Sequence, residues 1–351
     1  MHLVTGGAGF IGSALVHALV RRSVPVVNVD KLTYAANPAS LAAVAEERHY
    51  HFEHVDVCDA PALRGVFQRY APRVVLHLAA ESHVDRSIDA PADFVRTNVV
   101  GTFTLLSEAR RYWTSLSADE AARFRLIVVS TDEVFGALRP DDAPFDEHSR
   151  YDPSSPYAAS KAGADHLAQA WHRTYRLPLI TTYASNNFGP RQFPEKLIPL
   201  TIINAIEERP IDVYGDGEQR RDWIHVEDHV EALLAIAERG RVGERYTIAG
   251  MNERRNIDVV NAVCDLVDAS VPRSARAPRR SLVRFVEDRP GHDYRYALDP
   301  ATMRAQLGWQ PRRPFDAALA ETVQWYLGNR AWWEPLRERA AGRRQGLEGR
   351  E

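Results

Sequence analysis

The sequence predicts an α/β fold, a doubly wound parallel sheet with a smaller C-terminal lobe, and three observations carry that prediction. Short apolar runs alternate with amphipathic stretches through the first half of the 351 residues. A glycine-rich turn follows the first of those runs. Beyond about Pro190 the alternation gives way to irregular segments rich in Pro, Gly and Arg, as expected of a lobe that covers strand ends.

The apolar runs are His2–Thr5, 24–29, Tyr50–His54, 73–78 and 125–130. Parallel strands need crossovers, and the amphipathic stretches between the runs have the length of crossover helices. The expected organisation is a dinucleotide-type domain over 1–190 with a probable returning segment over 219–250. The second lobe is then formed by 191–218 and 251–336. The Pro- and Arg-containing stretch 270–281 reads as a solvated connector, and the polar stretch 337–351 as a frayed tail. Ligand is expected between the lobes.

Composition bounds the function. With 45% hydrophobic and 26% charged residues the chain can bury a large core. A formal net charge of -3 gives no footing for nucleic acid as partner. The two cysteines, Cys58 and Cys264, flank no His/Cys cluster, so neither a disulfide framework nor a metal site is expected, and the natural compartment is a reducing cytoplasm. A strand starting at His2 leaves no room for a signal peptide, and no apolar run of about 18 residues suggests a membrane span.

The first strand runs into Gly6-Gly7-Ala8-Gly9-Phe10-Ile11-Gly12. Glycines at 6 and 9 let backbone N–H groups approach a pyrophosphate at the positive end of a helix, and Gly12 permits close helix packing. Eighteen residues after Gly12, Asp30 ends the second strand, where an acid accepts hydrogen bonds from the adenosine ribose and repels a 2′-phosphate. The cofactor read from this Rossmann pattern is NAD. Lys31, Thr33, Asp56-Val57 at the end of the third strand, Leu78-Ala79-Ala80 after the fourth, Ser82 and Thr97 complete the expected cofactor wall.

The chemistry is read from Thr131-Asp132-Glu133 closing a strand and Tyr157…Lys161 opening a helix after Ser154-Ser155-Pro156. A spacing of four puts Tyr157 and Lys161 on one helix face. Bringing a phenol from its usual pKa of about 10 to about 7 takes roughly 4 kcal/mol, which Lys161 and a nicotinamide cation can supply together. Tyr157 then removes a hydroxyl proton as hydride leaves. Simple alcohol oxidation needs only one hydroxyl, Thr131, to hold the substrate oxygen. Two further acids imply a subsequent step: a ketone acidifies the neighbouring C–H, a base takes that proton, and an acid expels water.

The glycine loop, Asp30-Lys31-Leu32-Thr33-Tyr34-Ala35, His77-Leu78-Ala79-Ala80-Glu81-Ser82-His83-Val84-Asp85-Arg86-Ser87, the strand end at 130–134, Tyr157…Lys161, Pro194-Glu195-Lys196-Leu197-Ile198-Pro199, Tyr214-Gly215-Asp216-Gly217, Arg221-Asp222-Trp223 and Asp288-Arg289-Pro290-Gly291-His292-Asp293 together resemble the dTDP-glucose 4,6-dehydratases, extended short-chain dehydrogenase/reductases. The resemblance runs to about Tyr326. It implies NAD-dependent conversion of a nucleoside-diphosphate glucose to the 4-keto-6-deoxy sugar nucleotide. Tyr157 would take the O4 proton, Glu133 the C5 proton, and Asp132 would protonate the departing O6. Ser82, Thr131 and Asn186 would contact the sugar, and Lys196, Leu197, Tyr214, Arg221, Asn256, Arg289 and His292 the diphosphate and base. Helices around 94–112 and 157–175 would pair with their mates in a four-helix homodimer interface.

Family members usually carry proline where Asp212 stands, so the expected discrimination between dTDP and UDP is weak and Asp212→Pro is expected to shift it toward dTDP. A UDP-glucose 4,6-dehydratase and a nucleotide-sugar C4 epimerase are the alternative enzyme readings, the epimerase needing no acid pair at 132 and 133. An NAD-binding regulatory or scaffold protein is the alternative outside catalysis.

Overall fold

The computed structural model describes residues 1–271 and 278–340. Residues 272–277, half of the expected connector, and 341–351 of the expected tail lie outside the described residues; in the described end of the connector Arg279 is buried rather than solvated, donating to the Ala205 carbonyl and to Asp268. Seven parallel strands form the main sheet in the order β10-β6-β5-β4-β1-β2-β3. They are β1 (His2–Thr5), β2 (Val26–Asp30), β3 (Tyr50–His54), β4 (Val74–His77), β5 (Arg125–Thr131), β6 (Leu179–Ala184) and β10 (Arg245–Ile248). The order reverses between β1 and β4, with β2 and β3 on one side and β5 on the other. That switch point opens a crevice at the strands' C-terminal ends.

Helices cover both faces. Phe10–Arg21 and Val226–Arg239 pack together on one, over a core containing Leu15, Leu19, Ile127, Leu233 and Ile236. Ala60–Tyr70, Gly101–Ser115 and Pro156–Tyr175 cover the other, over Leu63, Phe67, Leu105, Phe124 and Ala168. Strands β1, β2 and β4 are buried at almost every position, which is why they read as continuous apolar runs rather than alternating ones.

The second lobe holds two small sheets. One joins β11 (Glu253–Arg255), β9 (Arg220–His225) and β7 (Asn186–Phe188), and the other pairs β8 (Ile211–Tyr214) with β12 (Val283–Val286) in parallel. Its core packs Ile202, Val213, Val260, Val263, Leu319, Tyr326 and Trp333. Asp222 ties this lobe to the main sheet, accepting from the Gly250 and Asn252 backbone N–H groups at 2.8 and 2.6 Å.

Three further sequence expectations need correction. The second strand starts at Val26, not at 24, because Val24 N–H bonds the Leu19 carbonyl and closes the preceding helix. The third strand ends at His54, so Asp56-Val57 sit in the loop beyond it, Asp56 capping the Cys58 N–H at 2.9 Å. The expected tail is not frayed from 337. The helix Arg330–Ala340 carries Trp333 into the core, Arg337 bonds Glu207, and Arg339 reaches the Thr33 carbonyl at 3.2 Å.

Candidate functional site

One continuous cavity of about 310 Å³ runs along the strand ends from the glycine loop to the second lobe. Its floor is shaped by backbone contact. Gly6 has φ +74°, and a Cβ there would come within 2.7 Å of the Ala79 nitrogen. At Gly12 a Cβ would lie 2.1 Å from the Gly6 carbonyl oxygen. No larger residue fits either position without moving backbone. Gly9, the N-cap of helix Phe10–Arg21, caps it with no side chain, leaving that helix end open to an anion.

Asp30 is buried, and its carboxylate accepts from Ala8 N–H at 2.9 Å and Leu32 N–H at 2.8 Å. Burial raises its pKa and these two donors oppose the rise. The carboxylate is thus fixed in place with lone pairs left for ribose hydroxyls. Lys31, the residue that could have welcomed a 2′-phosphate, is engaged by Thr97 at 3.1 Å and Asp56 at 3.7 Å. The residues present therefore fit NAD. Phe10, Ile11, Thr33, Val57, Leu78, Ala79, Ala80, Ser82 and Thr97 all line the same cavity, whereas Asp56 stands behind Lys31.

Where β5 ends, Thr131, Asp132 and Glu133 meet Tyr157 and Lys161 of helix Pro156–Tyr175, and all five line the cavity. That helix starts where Ser155 caps the Ala158 N–H and Pro156 takes the first turn. The Tyr157 ring packs edge-on to Phe94 at 6.3 Å between centroids. Its pKa is raised by burial and by the Glu133 charge, with hydrogen bonding to Thr131 in opposition. Burial likewise holds the Asp132 carboxyl well above the usual carboxylate range, and Glu133 beside it adds to that. Glu133 is raised by burial but faces three cations, Arg289, Arg221 and Lys196. The two acids thus sit in different environments: Asp132 is 2% exposed and favours its neutral form, whereas Glu133 is half-buried among positive charge. Separated environments are how neighbouring carboxyls take separate acid and base roles.

Lys161 is buried, donates to the Val129 carbonyl at 2.8 Å, and has its pKa lowered by burial against the opposing charge of Asp165.

The expected nucleotide contacts gather around the lobe junction. Lys196 donates to the Ser82 carbonyl at 2.7 Å, linking the lobes. Tyr214 and Arg289 share one carboxylate, Asp85, at 3.0 and 3.4 Å. Tyr214 also meets the His292 ring edge-on. Arg289 keeps its Nε buried without a partner, a donor arrangement suited to phosphate oxygens. Arg221 is buried against the Tyr296 ring at 4.3 Å. Ser82, Asn186 and Lys196 line the cavity, whereas Tyr214, Arg221, Asn256, Arg289 and His292 lie off its wall, Asn256 with a buried unpartnered Oδ1, and Leu197 packs its side chain against the second-lobe core.

Sequence reasoning missed several supporting residues. Thr5 accepts from the Leu78 and Ala79 N–H groups, both at 3.2 Å, and so sets the turn beneath the cofactor. Asn98 bridges the Glu81 backbone to Ser160 of the catalytic helix. Asp85 positions Tyr214 and Arg289. Asp165, one turn after Lys161, is buried, accepts from Ser130 at 2.6 Å, and is raised to about 7 by burial. Only Asp165 had a signal, its i+4 spacing from Lys161.

Asp212 is held by Arg284 on the adjacent strand, through both carboxylate oxygens. This changes the expectation for base choice. A carboxylate already paired is not a free acceptor for a pyrimidine, and the pair is largely exposed on the Arg284 side. Asp212→Ala should therefore leave the dTDP-to-UDP ratio of kcat/KM within about threefold of wild type and cost no more than about 1 kcal/mol in stability. Competition kinetics with the two sugar nucleotides check this, and a tenfold change in the ratio would return Asp212 to the base site.

A family model for GDP-mannose 4,6 dehydratase matches residues 3–322. The chain is 54% identical over 346 residues to a probable dTDP-glucose 4,6-dehydratase of Sinorhizobium fredii, covering 98% of both proteins. It is 50% identical over 357 residues to a dTDP-glucose 4,6-dehydratase of Escherichia coli, covering 98% of this chain and 99% of that one. A dTDP-glucose 4,6-dehydratase from Streptomyces venezuelae, crystallised with NAD bound, superposes with a TM-score of 0.86 at 42% identity, covering 95% of this chain and 99% of that one. A UDP-glucose 4-epimerase from Thermotoga maritima superposes at 0.81 with 25% identity, covering 93% and 98%.

Proposed function

Because the chain belongs to the dTDP-glucose 4,6-dehydratase family, we infer that it is an NAD-dependent hydro-lyase that converts dTDP-glucose to the 4-keto-6-deoxy sugar nucleotide. The observation that carries the reading beyond family membership is the acid pair, buried Asp132 and half-buried Glu133, in the same cavity as Tyr157. An epimerase has no elimination step in which to use two acids.

Residues of the glycine loop and Asp30 hold the cofactor. Bound NAD supplies temporary hydride storage, from C4 and back to C6, and positive charge beside the phenol. Tyr157 removes the O4 proton while Thr131 holds that oxygen. The resulting ketone acidifies C5–H, and Glu133 takes this proton. Asp132, kept neutral by its burial, gives its proton to the departing O6, and water leaves. Glu133 returns its proton to C5 as C6 is reduced. Arg221, Arg289 and Lys196 bind the diphosphate, where their planar forks and point charge suit phosphate oxygens. Tyr214, His292 and Asn256 surround the base, and Ser82 and Asn186 contact the sugar.

Incubation of the purified protein with dTDP-glucose should give a product lighter by one water, formed without added cofactor. Acid extraction should release NAD(H), since a cycle that returns its hydride gains nothing from letting the nucleotide go. A product of unchanged mass would establish the epimerase reading, no product at all the regulatory one, and stoichiometric NADP would overturn the cofactor assignment. With UDP-glucose in the same assay, kcat/KM should lie within about two factors of ten of the dTDP value.

A homodimer belongs to the same proposal. Helices Gly101–Ser115 and Pro156–Tyr175 lie side by side, and Phe103 and Tyr175 on them, with Val95 and Val100 just before, are 36–51% exposed. Phe103 and Tyr175 both pack on Trp171, so the patch is continuous and of the kind that buries itself in an interface. Phe103→Glu should give a monomer in sedimentation, and an unchanged mass would place the interface elsewhere. Among the described residues no helix is long and apolar enough to cross a membrane, and both cysteines are unpaired, which supports a cytoplasmic setting.

A further inference from the structure

After Asp30 the chain runs along the cavity, and Lys31, Thr33, Ala35 and Ala36 line it beside the carboxylate that faces the adenosine ribose. Leu32 has φ +55°, a left-handed backbone conformation that is costly for a residue with a Cβ, so contacts further along must hold the segment on this path. Its own domain supplies some of them. The Asn37 N–H meets the Ala8 carbonyl at 3.0 Å, the His17 ring bonds the Ser40 carbonyl at 2.7 Å, and the Arg86 guanidinium lies over the Tyr34 ring at 3.3 Å.

The remaining contacts come from the second lobe, at two points far apart in its chain. The Tyr34 ring meets Phe193 edge-on with centroids 5.6 Å apart, and its hydroxyl donates to Glu195 at 3.2 Å. From the other end, Arg339 donates to the Thr33 and Ala36 carbonyls at 3.2 and 3.4 Å, and the Trp332 indole N–H to the Ser40 hydroxyl at 3.2 Å. The helix that carries both, Arg330–Ala340, is seated in the second-lobe core by Trp333, which is 1% exposed. The wall of the adenosine side is thus gripped by the lobe that receives the sugar nucleotide.

We propose that the second lobe is a clasp on the cofactor, in which Tyr34 and Arg339 hold the segment 31–40 against the adenosine half of NAD and so slow its release. The inference rests on the NAD-dependent reading above. Tyr34 and Arg339 are positioning residues: neither side chain lines the cavity, and each acts through wall residues that do. Holding the segment in place before NAD arrives lowers the ordering cost of binding. After binding, NAD leaves on the adenosine side only when the grip on both Tyr34 and the 33–36 carbonyls is broken. A cycle that returns its hydride is served by such retention.

The test separates retention from turnover. Purified holoenzyme is dialysed, NAD(H) in acid extracts is followed over time, and kcat is then measured with dTDP-glucose under saturating added NAD. Arg339→Ala should lose NAD at least about tenfold faster than wild type, the scale of hydrogen bonds from a charged donor, and Tyr34→Phe about three- to tenfold faster. Arg339→Lys keeps the charge but not the fork that reaches two carbonyls, and should fall between Arg339→Ala and wild type. With saturating NAD each variant should turn over within about twofold of wild type, because no group that touches the sugar has changed. Arg280→Ala breaks an exposed ion pair with Asp265 elsewhere in the second lobe and should lose NAD no faster than wild type. If Arg339→Ala does not fold, Tyr34→Phe carries the comparison, since it keeps the ring and removes only the hydroxyl. NAD loss at the wild-type rate from either variant, equal acceleration in Arg280→Ala, or a kcat that saturating NAD does not restore would overturn the clasp. Wild type that takes up no NAD would remove the cofactor reading and the clasp with it. Wild type that holds NAD but never releases water would remove only the dehydratase reading, and the rates of NAD loss would still decide the clasp.

Discussion

Tyr157→Phe is expected to leave the fold and NAD content intact and to lower kcat/KM by about three to four factors of ten, a loss of roughly 4–5 kcal/mol of transition-state stabilisation. The ring contacts Phe94 edge-on, and phenylalanine preserves that contact, so packing is not at issue. What is lost is the oxygen that accepts the O4 proton. Burial and the Glu133 charge both raise the phenol's pKa, so the protein's own residues hold it protonated. Its ionisation depends on positive charge delivered with the cofactor. The variant should therefore show no nicotinamide reduction in a single turnover, by absorbance after rapid mixing with dTDP-glucose. A loss of less than about tenfold would mean that another group is the base.

The fold was legible because of how parallel sheets are built. Strands buried on both faces, such as β2 and β4, read as plain apolar runs. The glycines at 6 and 12 are dictated by backbone approach within 2.7 Å and 2.1 Å, so their spacing carries the loop geometry directly. β6 was not legible as a strand, and β10 only as part of the expected returning segment over 219–250. Leu179–Ala184 is half threonine and tyrosine, and β10 comes back to the sheet edge from beyond the second lobe's first strands, a pairing whose register no local pattern announces.

In the candidate site, the sequence exposed residues whose chemistry is carried by type and spacing: Asp132, Glu133, and Tyr157 with Lys161. Residues that act by holding others were silent. Asp85 sits in a short helix, 129 positions from Tyr214 and 204 from Arg289, and only folding brings these together. Leu197 shows the converse. Its motif placed it at the substrate, but Leu197 opens the apolar first turn of helix Leu197–Ile206 and packs against the second-lobe core. Asp212 looked like a threat to base recognition because its partner, Arg284, lies 72 residues away on a strand the sequence did not reveal.

Glu133→Gln and Asp132→Asn are expected to fail at different steps, and that difference tests the roles given to the acid pair. Glu133 lies among Arg289, Arg221 and Lys196, which oppose the effect of burial and favour the ionised form a base needs. Glutamine cannot accept the C5 proton, so Glu133→Gln should still reduce bound NAD in one turnover but lose exchange of the C5 hydrogen with solvent. Overall dehydration should drop by about two to four factors of ten. Asp132 is raised further, by burial and by the Glu133 charge, toward the neutral acid that a leaving hydroxyl requires. Asp132→Asn should therefore form NADH and keep C5 exchange, because removal of the C5 proton precedes its step, yet release water slowly. The comparison needs three readouts on each variant: absorbance of reduced nicotinamide, deuterium incorporation at C5, and product mass. Glu133→Gln stops before exchange and Asp132→Asn after it, if the base and acid are assigned correctly. Should both behave like Tyr157→Phe, with no NADH formed, the pair would be serving to bind or orient the sugar, and the division of labour proposed for two acids in two environments would fail with it.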